Sequence, residues 1–163
     1  MNANAFRQLF DYHFSENQKI WDEHITRLSG QQFCAQVDYS IGSIQDQLVH
    51  LLSVDDMWFS ELQGSEPLDP FSPAEPDSRR EIRAYREKIE QRMRDYLRGL
   101  RDDMLLKKPI TLPEEDQNLA VWQVLLHVIN HGTDHRAQIL RLLHDQGCRT
   151  SSQDLVFYLY DHI

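Results

Sequence analysis

The sequence predicts an all-α protein, a four-helix bundle with a short extra helix at the C-terminus. Apolar residues recur at the three- and four-residue spacing of a helix in four long segments. All six prolines lie between Pro67 and Pro113, and glycine is scarce, with six in 163 residues. Both features favour helices over strands. We expect residues 1–163 to form a single domain that is large enough to bury its own core.

The first predicted helix runs from Asn4 to about Leu28 and ends at the Ser29–Gly30 pair. Asn17 falls on its apolar face, where an amide needs hydrogen-bonding partners. The simpler interpretation is that Asn17 ties this helix to a neighbour, and contact with a substrate is the alternative. Residues 31–42 are predicted to form a connection.

The second predicted helix begins at Ser43, which forms a capping-box pattern with Asp46, and runs to about Gln63. His50 lies at the edge of its apolar face, about 100° from the neighbouring leucine. From this helix alone, the simpler interpretation of His50 is a half-exposed surface histidine. Asp55 lies within the apolar face, where a carboxylate needs a charged partner or a polar site.

The third predicted helix follows residues 64–78, which contain four prolines and are predicted to form a loop. It begins at Ser78, with Glu81 in the capping-box position. Its inward face carries Ile82, Tyr85, Ile89, Met93, Tyr96 and Leu100. Residues 102–117 are predicted to be irregular because two prolines interrupt them. Asn118 is predicted to cap the next helix.

The fourth predicted helix runs from Val121 to Leu143 and carries three histidines on one stripe, His127, His131 and His135. Residues four apart on a helix advance about 400°, so each lies only about 40° from the last. Histidines at this spacing can share one metal ion. Buried or surface histidines with ordinary hydrogen bonds are the alternative. A pair of histidines four residues apart supplies only two ligands, so metal binding requires a third ligand from elsewhere in the chain.

The opposite side of this helix is also apolar, with Trp122, Leu125, Ile129, Leu140 and Leu143. A helix that is apolar nearly all round is either central in its domain or part of a subunit interface. We expect a homodimer that uses this back face. Arg136 either pairs with a neighbouring carboxylate or, as its helical position favours, faces the dimer partner. Gly147 is predicted to end the helix, and residues 151–161 to form the short final helix.

The composition excludes several classes of partner. The formal net charge is −9, so the chain lacks the basic surface that nucleic-acid phosphates require. The two cysteines, Cys34 and Cys148, argue against a disulfide framework and fit a reducing cytoplasm. No apolar run reaches the roughly 18 residues of a membrane-spanning helix, and no N-terminal targeting segment is evident. We therefore expect a cytoplasmic protein with a small-molecule substrate and neither nucleic acid nor membrane as partner.

Two segments of the chain resemble the DinB/YfiT-like family. The first is Gly42-Ser43-Ile44 … Leu48-Val49-His50-Leu51-Leu52 … Asp55 … Trp58. The second is Leu126-His127-Val128-Ile129-Asn130-His131 … His135-Arg136-Ala137-Gln138-Ile139 … Leu142 … Gly147. Asn17 and the closing Asp154-Leu155 … Tyr158-Leu159 are similar too, so the resemblance covers nearly the whole chain. Its most specific part is the His-x-x-x-His-Arg-x-Gln motif together with a single upstream histidine before a tryptophan.

The resemblance implies a four-helix bundle, often dimeric, that binds a divalent metal, zinc or nickel, through three histidines. By position, the implied ligands are His50, His131 and His135. His127, one turn earlier, is expected to support the site or lie in the core rather than bind the metal. The second ring nitrogen of each ligand needs a partner, and the candidates by helical spacing are Asp55, Asp134 and Gln138.

Three alternatives follow for the function. Three imidazoles leave a coordination position open, which is typical of catalytic zinc sites. The first alternative is therefore a metal-dependent enzyme, either a transferase for a low-molecular-weight thiol, as among relatives in the superfamily, or a hydrolase that uses metal-activated water. The second is a non-catalytic stress-response or interaction protein that a metal stabilises, with a fourth ligand such as His127. The third is a bundle without metal.

Overall fold

The computed structural model describes residues 1–68, 77–111 and 113–162, and within these ranges the regular structure is helical throughout. Four helices are long and two are short. They are α1 (Ala3–Glu23), α2 (Gly30–Phe33), α3 (Ile44–Gln63), α4 (Arg79–Gly99), α5 (Val121–Asp145) and α6 (Leu155–Tyr160). The predicted all-α fold with a short C-terminal helix is confirmed. Of the predicted loop at 64–78, residues 69–76 lie outside the described residues.

Helix α3 lies between two of the other long helices of the bundle. It packs against α4 on one side and α5 on the other, and α1 in turn contacts both α4 and α5. One cluster of buried apolar side chains fills the space between them, including Phe6, Phe10, Phe59, Ile82, Ile89, Leu125 and Ile139. The two helices that carry the candidate histidines therefore lie side by side.

The beginning and end of α3 match the prediction. The Ser43 hydroxyl accepts a hydrogen bond from the Asp46 N–H (3.1 Å), and the Asp46 carboxylate accepts one from the Ser43 N–H (2.9 Å). This capping box pairs two backbone donors at the helix start. At the other end, Gly64 adopts a φ of 61°, the left-handed conformation that often follows a helix. Local signals at both ends thus determine where His50 stands along the bundle.

Replacing Ser43 with alanine is expected to lower the free energy of unfolding by about 1 kcal/mol, the usual contribution of an N-cap hydroxyl. Ser43 is buried, so water does not readily replace the lost acceptor. The measurement is urea denaturation followed by circular dichroism. Ser15→Ala, in the interior of α1, is the control and is expected to be neutral or slightly stabilising. Equal behaviour of the two variants would contradict the capping role.

Helix α1 ends earlier than predicted. It stops at Glu23, and a 3₁₀ turn follows at Ile25–Arg27. The Ser29–Gly30 pair, predicted to end α1, instead begins α2. The Ser29 hydroxyl accepts from the Gln32 N–H (3.2 Å), and the Gln32 side chain accepts from the Ser29 N–H (3.0 Å). The prediction is wrong because a serine followed by glycine often ends a helix, but serine is also a common first residue of a helix. Here Gln32, three residues after Ser29, completes a capping box, and Ser29 therefore begins α2.

Ser78 stands at the N-cap of α4 as predicted, but its predicted capping hydrogen bond and the predicted cap of α5 are wrong. The Ser78 side chain makes no cap hydrogen bond to α4, and its backbone N–H donates to Gln45 on α3 (3.0 Å). Asn118 does not cap α5, which follows Ala120. There the Gln123 side chain accepts from the Ala120 N–H (2.8 Å) and takes the place of a polar cap residue. Both helices nevertheless begin within three residues of the predicted positions.

The back face of α5 is largely covered by the chain itself. Leu125, Ile129 and Leu143 are buried in the core, whereas Trp122 is 39% exposed. The homodimer stays a prediction, but most of the apolar face that suggested it packs within one chain. None of the helices in the described ranges has the length and apolar character needed to cross a bilayer.

Candidate metal centre

Three histidines from two helices converge at one point between α3 and α5. The ring centroid of His50 lies 5.2 Å from that of His131 and 4.7 Å from that of His135, and the two α5 rings are 4.3 Å apart. Each residue offers a ring nitrogen, and these nitrogens all lie within 4.8 Å of one another. Among the described residues, no other group of three histidine, cysteine or acidic side chains is so placed.

The spacing of the nitrogens fits a single cation. His50 Nε2 and His131 Nε2 are 3.2 Å apart. Two imidazole nitrogens bound to one tetrahedral zinc at about 2.0–2.1 Å are roughly 3.3 Å apart. Side chains on separate helices thus already stand at nearly the separation that a shared metal requires.

Burial keeps the α5 imidazoles neutral. It lowers the pKa of His131 to about 4, and the neighbouring His135 strengthens this effect while the Asp55 carboxylate opposes it. Burial, followed by the proximity of His50, also lowers the pKa of His135. A neutral imidazole has a nitrogen lone pair free for a cation. Both α5 imidazoles are therefore in the protonation state that metal binding needs at neutral pH.

A series of hydrogen-bonded side chains determines which ring nitrogen of His135 carries the proton. The Asp134 carboxylate can only accept, so the Gln138 amide turns its nitrogen toward Asp134 (3.0 Å) and its oxygen toward Gln47 Nε2 (3.1 Å). The Gln47 oxygen therefore faces His135 Nδ1 at 2.7 Å, and Nδ1 must be the donor. The hydroxyl of Ser40 also donates to Gln138. His135 Nε2 is left with a free lone pair for a metal.

Sequence analysis missed Gln47 as a functional residue. Gln138 and Asp134, predicted to support the histidines, do not contact the His135 ring themselves and act on it through Gln47. The sequence does offer one signal for Gln47. It stands three residues before His50 on the same helix, so the two side chains lie on the same face. The side-chain amide of Gln47 is fully buried and so needs hydrogen-bonding partners, and one of these is a histidine of the metal centre.

Replacing Gln47 with leucine is expected to weaken zinc binding by about 10-fold, because His135 loses the acceptor that orients its ring. The affinity is measured by competition with a chromogenic chelator. Gln47→Glu is the comparison variant: its carboxylate still accepts from Nδ1–H but cannot donate to Gln138, so it should lose less affinity than the leucine variant. Equal affinities of the leucine variant and the unsubstituted protein would contradict the orienting role.

His127 lies beside the cluster and outside it. Its side chain is exposed, and its ring centroid is 5.9 Å from that of His131. It meets the ring of Trp58 edge to face at 5.3 Å. His127 is therefore not in the core, and the structure does not group it with the three candidate ligands.

Asp55 and Asn17 lie on the α1 side of the cluster. Asp55 is 1% exposed, and its Oδ2 is 3.4 Å from His13 Nε2. The Asn17 side-chain oxygen accepts a hydrogen bond from Arg136 Nη1 (3.1 Å). Asp55 thus has the polar neighbour that a buried carboxylate needs, and Asn17 links α1 to α5.

Arg136 points into the molecule, and the prediction that it faces a dimer partner is wrong. It is 1% exposed. Its guanidinium donates to His13 Nδ1 (3.1 Å), Thr133 Oγ1 (3.1 Å) and Gln153 Oε1 (2.9 Å). Gly132, one turn earlier, makes room, since a Cβ there would lie 3.1 Å from Arg136 Nη1. Helical position alone could not show this, because the direction of a long side chain depends on the partners that the neighbouring helix provides.

Comparison with known proteins bears on the family of the chain. The sequence profile of the DinB family matches residues 1–162. The chain belongs to the DinB family. It is also 25% identical, over 167 aligned residues, to Protein DinB of Bacillus subtilis (strain 168), an alignment that covers 98% of this chain and 96% of the relative. The resemblance found in the sequence is confirmed, and the three-histidine cluster of this DinB-family chain is compatible with metal binding.

Proposed function

We propose that this DinB-family protein is a metal-dependent enzyme that holds a divalent ion, zinc or nickel, at His50, His131 and His135. Its reaction is the transfer of a low-molecular-weight thiol to a small electrophile, or a hydrolysis by metal-activated water. The observation that carries the proposal is the meeting of three ring nitrogens, from α3 and α5, within 4.8 Å of one another. Three protein ligands leave room at the ion for an exchangeable molecule.

The residues around the cluster suit this chemistry. Bound there, a divalent ion supplies Lewis acidity that lowers the pKa of a thiol or a water and so provides a nucleophile at neutral pH. His50 and His131 are only half-buried, so a small molecule reaches them from solvent. Gln47 keeps the His135 lone pair directed at the cluster. Trp58 and His127 border the approach and offer an aromatic surface to a substrate.

The position of His127 favours the enzyme over a purely structural metal site. A site that only stabilises the fold is normally closed by a fourth protein ligand, and His127 is the candidate. Its ring lies exposed beside Trp58 and outside the group of close nitrogens. This arrangement supports a coordination position that is open to substrate.

The test is to load the protein with zinc or nickel, measure the metal content, and follow turnover with a chromogenic electrophile in the presence of cysteine or glutathione. We expect one metal per chain and a rate that disappears on chelation. A parallel assay with a chromogenic ester detects hydrolysis. Stoichiometric metal with a large drop in melting temperature on chelation, but no turnover in either assay, would favour the non-catalytic alternative.

A further inference from the structure

A second buried polar cluster lies behind the histidines, toward α1. We call it the inner cluster, and it consists of His13, Asn17, Asp55 and Arg136. His13 is 0% exposed, and Asp55 and Arg136 are each 1% exposed. The proposed chemistry does not use these groups directly. Burial of so many polar side chains is costly unless they pair with one another.

The hydrogens of the inner cluster can be placed from its geometry. Arg136 can only donate, so His13 Nδ1 accepts from Arg136 Nη1 (3.1 Å) and the His13 proton resides on Nε2. That Nε2 lies 3.4 Å from Asp55 Oδ2. The Asn17 oxygen also accepts from Arg136, whereas its Nδ2, 3.1 Å from the protonated Nε2, cannot donate to that nitrogen. Asp55 thus has one oxygen facing the His13 N–H.

One buried acceptor and one buried nitrogen that can donate a hydrogen bond lie where the inner cluster meets the three histidines. Asp55 Oδ1 is buried and accepts no hydrogen bond from the described residues, and His131 Nδ1 is buried and equally unpartnered among them. His131 directs its Nε2 at His50, so a neutral ring carries its proton on Nδ1 once Nε2 holds a cation. Both atoms belong to residues beside the His13 ring, because Gly132, which follows His131 directly, packs on that ring and His13 Nε2 faces Asp55. The charge of Asp55 acts on His131 and raises its pKa against the effect of burial.

We infer that Asp55 is a positioning residue of the metal centre: when the ion is bound, its Oδ1, which has no partner among the described residues, accepts the Nδ1–H of His131 and holds that ring with Nε2 toward the ion. The inference rests on the proposed function. His13 and Arg136 keep the carboxylate in place from the other side. Each α5 histidine of the metal centre is then held by one hydrogen-bond acceptor: Gln47 orients His135, and Asp55 orients His131.

The structure offers one competing partner for Asp55 Oδ1. Asp55 and Arg86 line the same small internal cavity, and Arg86 Nε is also buried without a hydrogen-bond partner among the described residues. A buried water between them would satisfy both groups without involving His131. In that case the carboxylate would serve only the fold.

The test compares Asp55→Ala with Asp56→Ala in the full chain. Asp56 is the matched control, because it is equally buried on α3 but bonds to Arg92 Nη1 (2.7 Å) and the Leu68 N–H (2.7 Å), on the α4 side. Zinc affinity is measured by chelator competition. We expect Asp55→Ala to bind zinc about 10- to 100-fold more weakly, and Asp56→Ala to bind it as the unsubstituted protein does although both variants lose stability.

Two further measurements keep the test decisive. Asp55→Asn retains the shape and should fold even where the alanine variant does not, with a smaller loss of zinc affinity in the same direction. In the zinc-loaded protein, ¹⁵N NMR of the imidazoles should show His131 protonated at Nδ1, with that proton protected from exchange. Unchanged zinc affinity in both Asp55 variants would overturn this inference alone. Failure of the unsubstituted protein to bind zinc would overturn the proposed function as well.

Discussion

Replacing His131 with alanine is expected to weaken zinc binding by at least about 100-fold. Structural zinc sites with four ligands bind with roughly 10–16 kcal/mol, or about 3 kcal/mol for each ligand, which corresponds to a factor of more than about 100. The three rings form a triangle, in which His131 Nε2 lies 3.2 Å from His50 Nε2 and the His131 ring centroid lies 4.3 Å from that of His135. Loss of His131 leaves two ligands that cannot enclose the ion.

The control is His144→Ala. His144 lies on the same helix α5 but is exposed and does not belong to the cluster. It should leave the zinc affinity and stoichiometry unchanged. Competition with a chromogenic chelator measures both variants under the same conditions. If His131→Ala and His144→Ala bind zinc equally well, the bound metal lies elsewhere and the three-histidine site is wrong.

Replacing Gly132 with alanine is expected to lower the free energy of unfolding by about 2 kcal/mol, the net result of an overpacking cost of about 3 kcal/mol and a smaller gain in helix propensity. A Cβ at this position would lie 2.7 Å from His13 Nδ1 and closer still to His13 Cε1. His13 is fully buried and hydrogen-bonded to Arg136, so a shift of its ring away from the new Cβ would disturb that hydrogen bond. The better helix propensity of alanine offsets only about 1 kcal/mol of the overpacking cost.

Gly99→Ala is the matched control for this substitution. Gly99 is the last residue of α4, and no atom lies within 4 Å of the position that its Cβ would take. We expect Gly99→Ala to be neutral or to stabilise the protein by a few tenths of a kcal/mol. Guanidinium denaturation followed by circular dichroism measures both variants. Similar stabilities of the two would show that α1 does not pack on Gly132 as closely as the structure indicates.

The parts of the fold that the sequence predicted well are those with local causes. The capping box at Ser43 and the left-handed Gly64 identify the ends of α3, and helical spacing aligns His131 with His135. The wrong prediction at Ser29 also has a local cause, since serine marks helix starts and follows helix ends alike. His50 could be joined to the other two histidines only through the family resemblance, because its own helix places it at the edge of an apolar face.

The supporting residues of the site could not be predicted in the same way. Gln47, His13 and Arg136 act through contacts between helices, and spacing along one helix does not show which neighbour a side chain meets. Arg136 illustrates the point, since it turns inward because Gly132 lacks a side chain and His13 offers an acceptor. Gln138 and Asp134 were identified by their positions, but their connection to His135 depends on Gln47 from another helix.

X-ray absorption at the metal edge, on protein reconstituted with zinc or nickel and with its metal content measured, tests the metal centre most directly. We expect one metal per chain, three imidazole nitrogens at about 2.0–2.1 Å in the zinc form, and a further light-atom ligand that an added thiol replaces with sulfur at about 2.3 Å. A spectrum without imidazole scattering, or the same spectrum from the His131→Ala variant, would contradict the assignment of His50, His131 and His135 as the ligands.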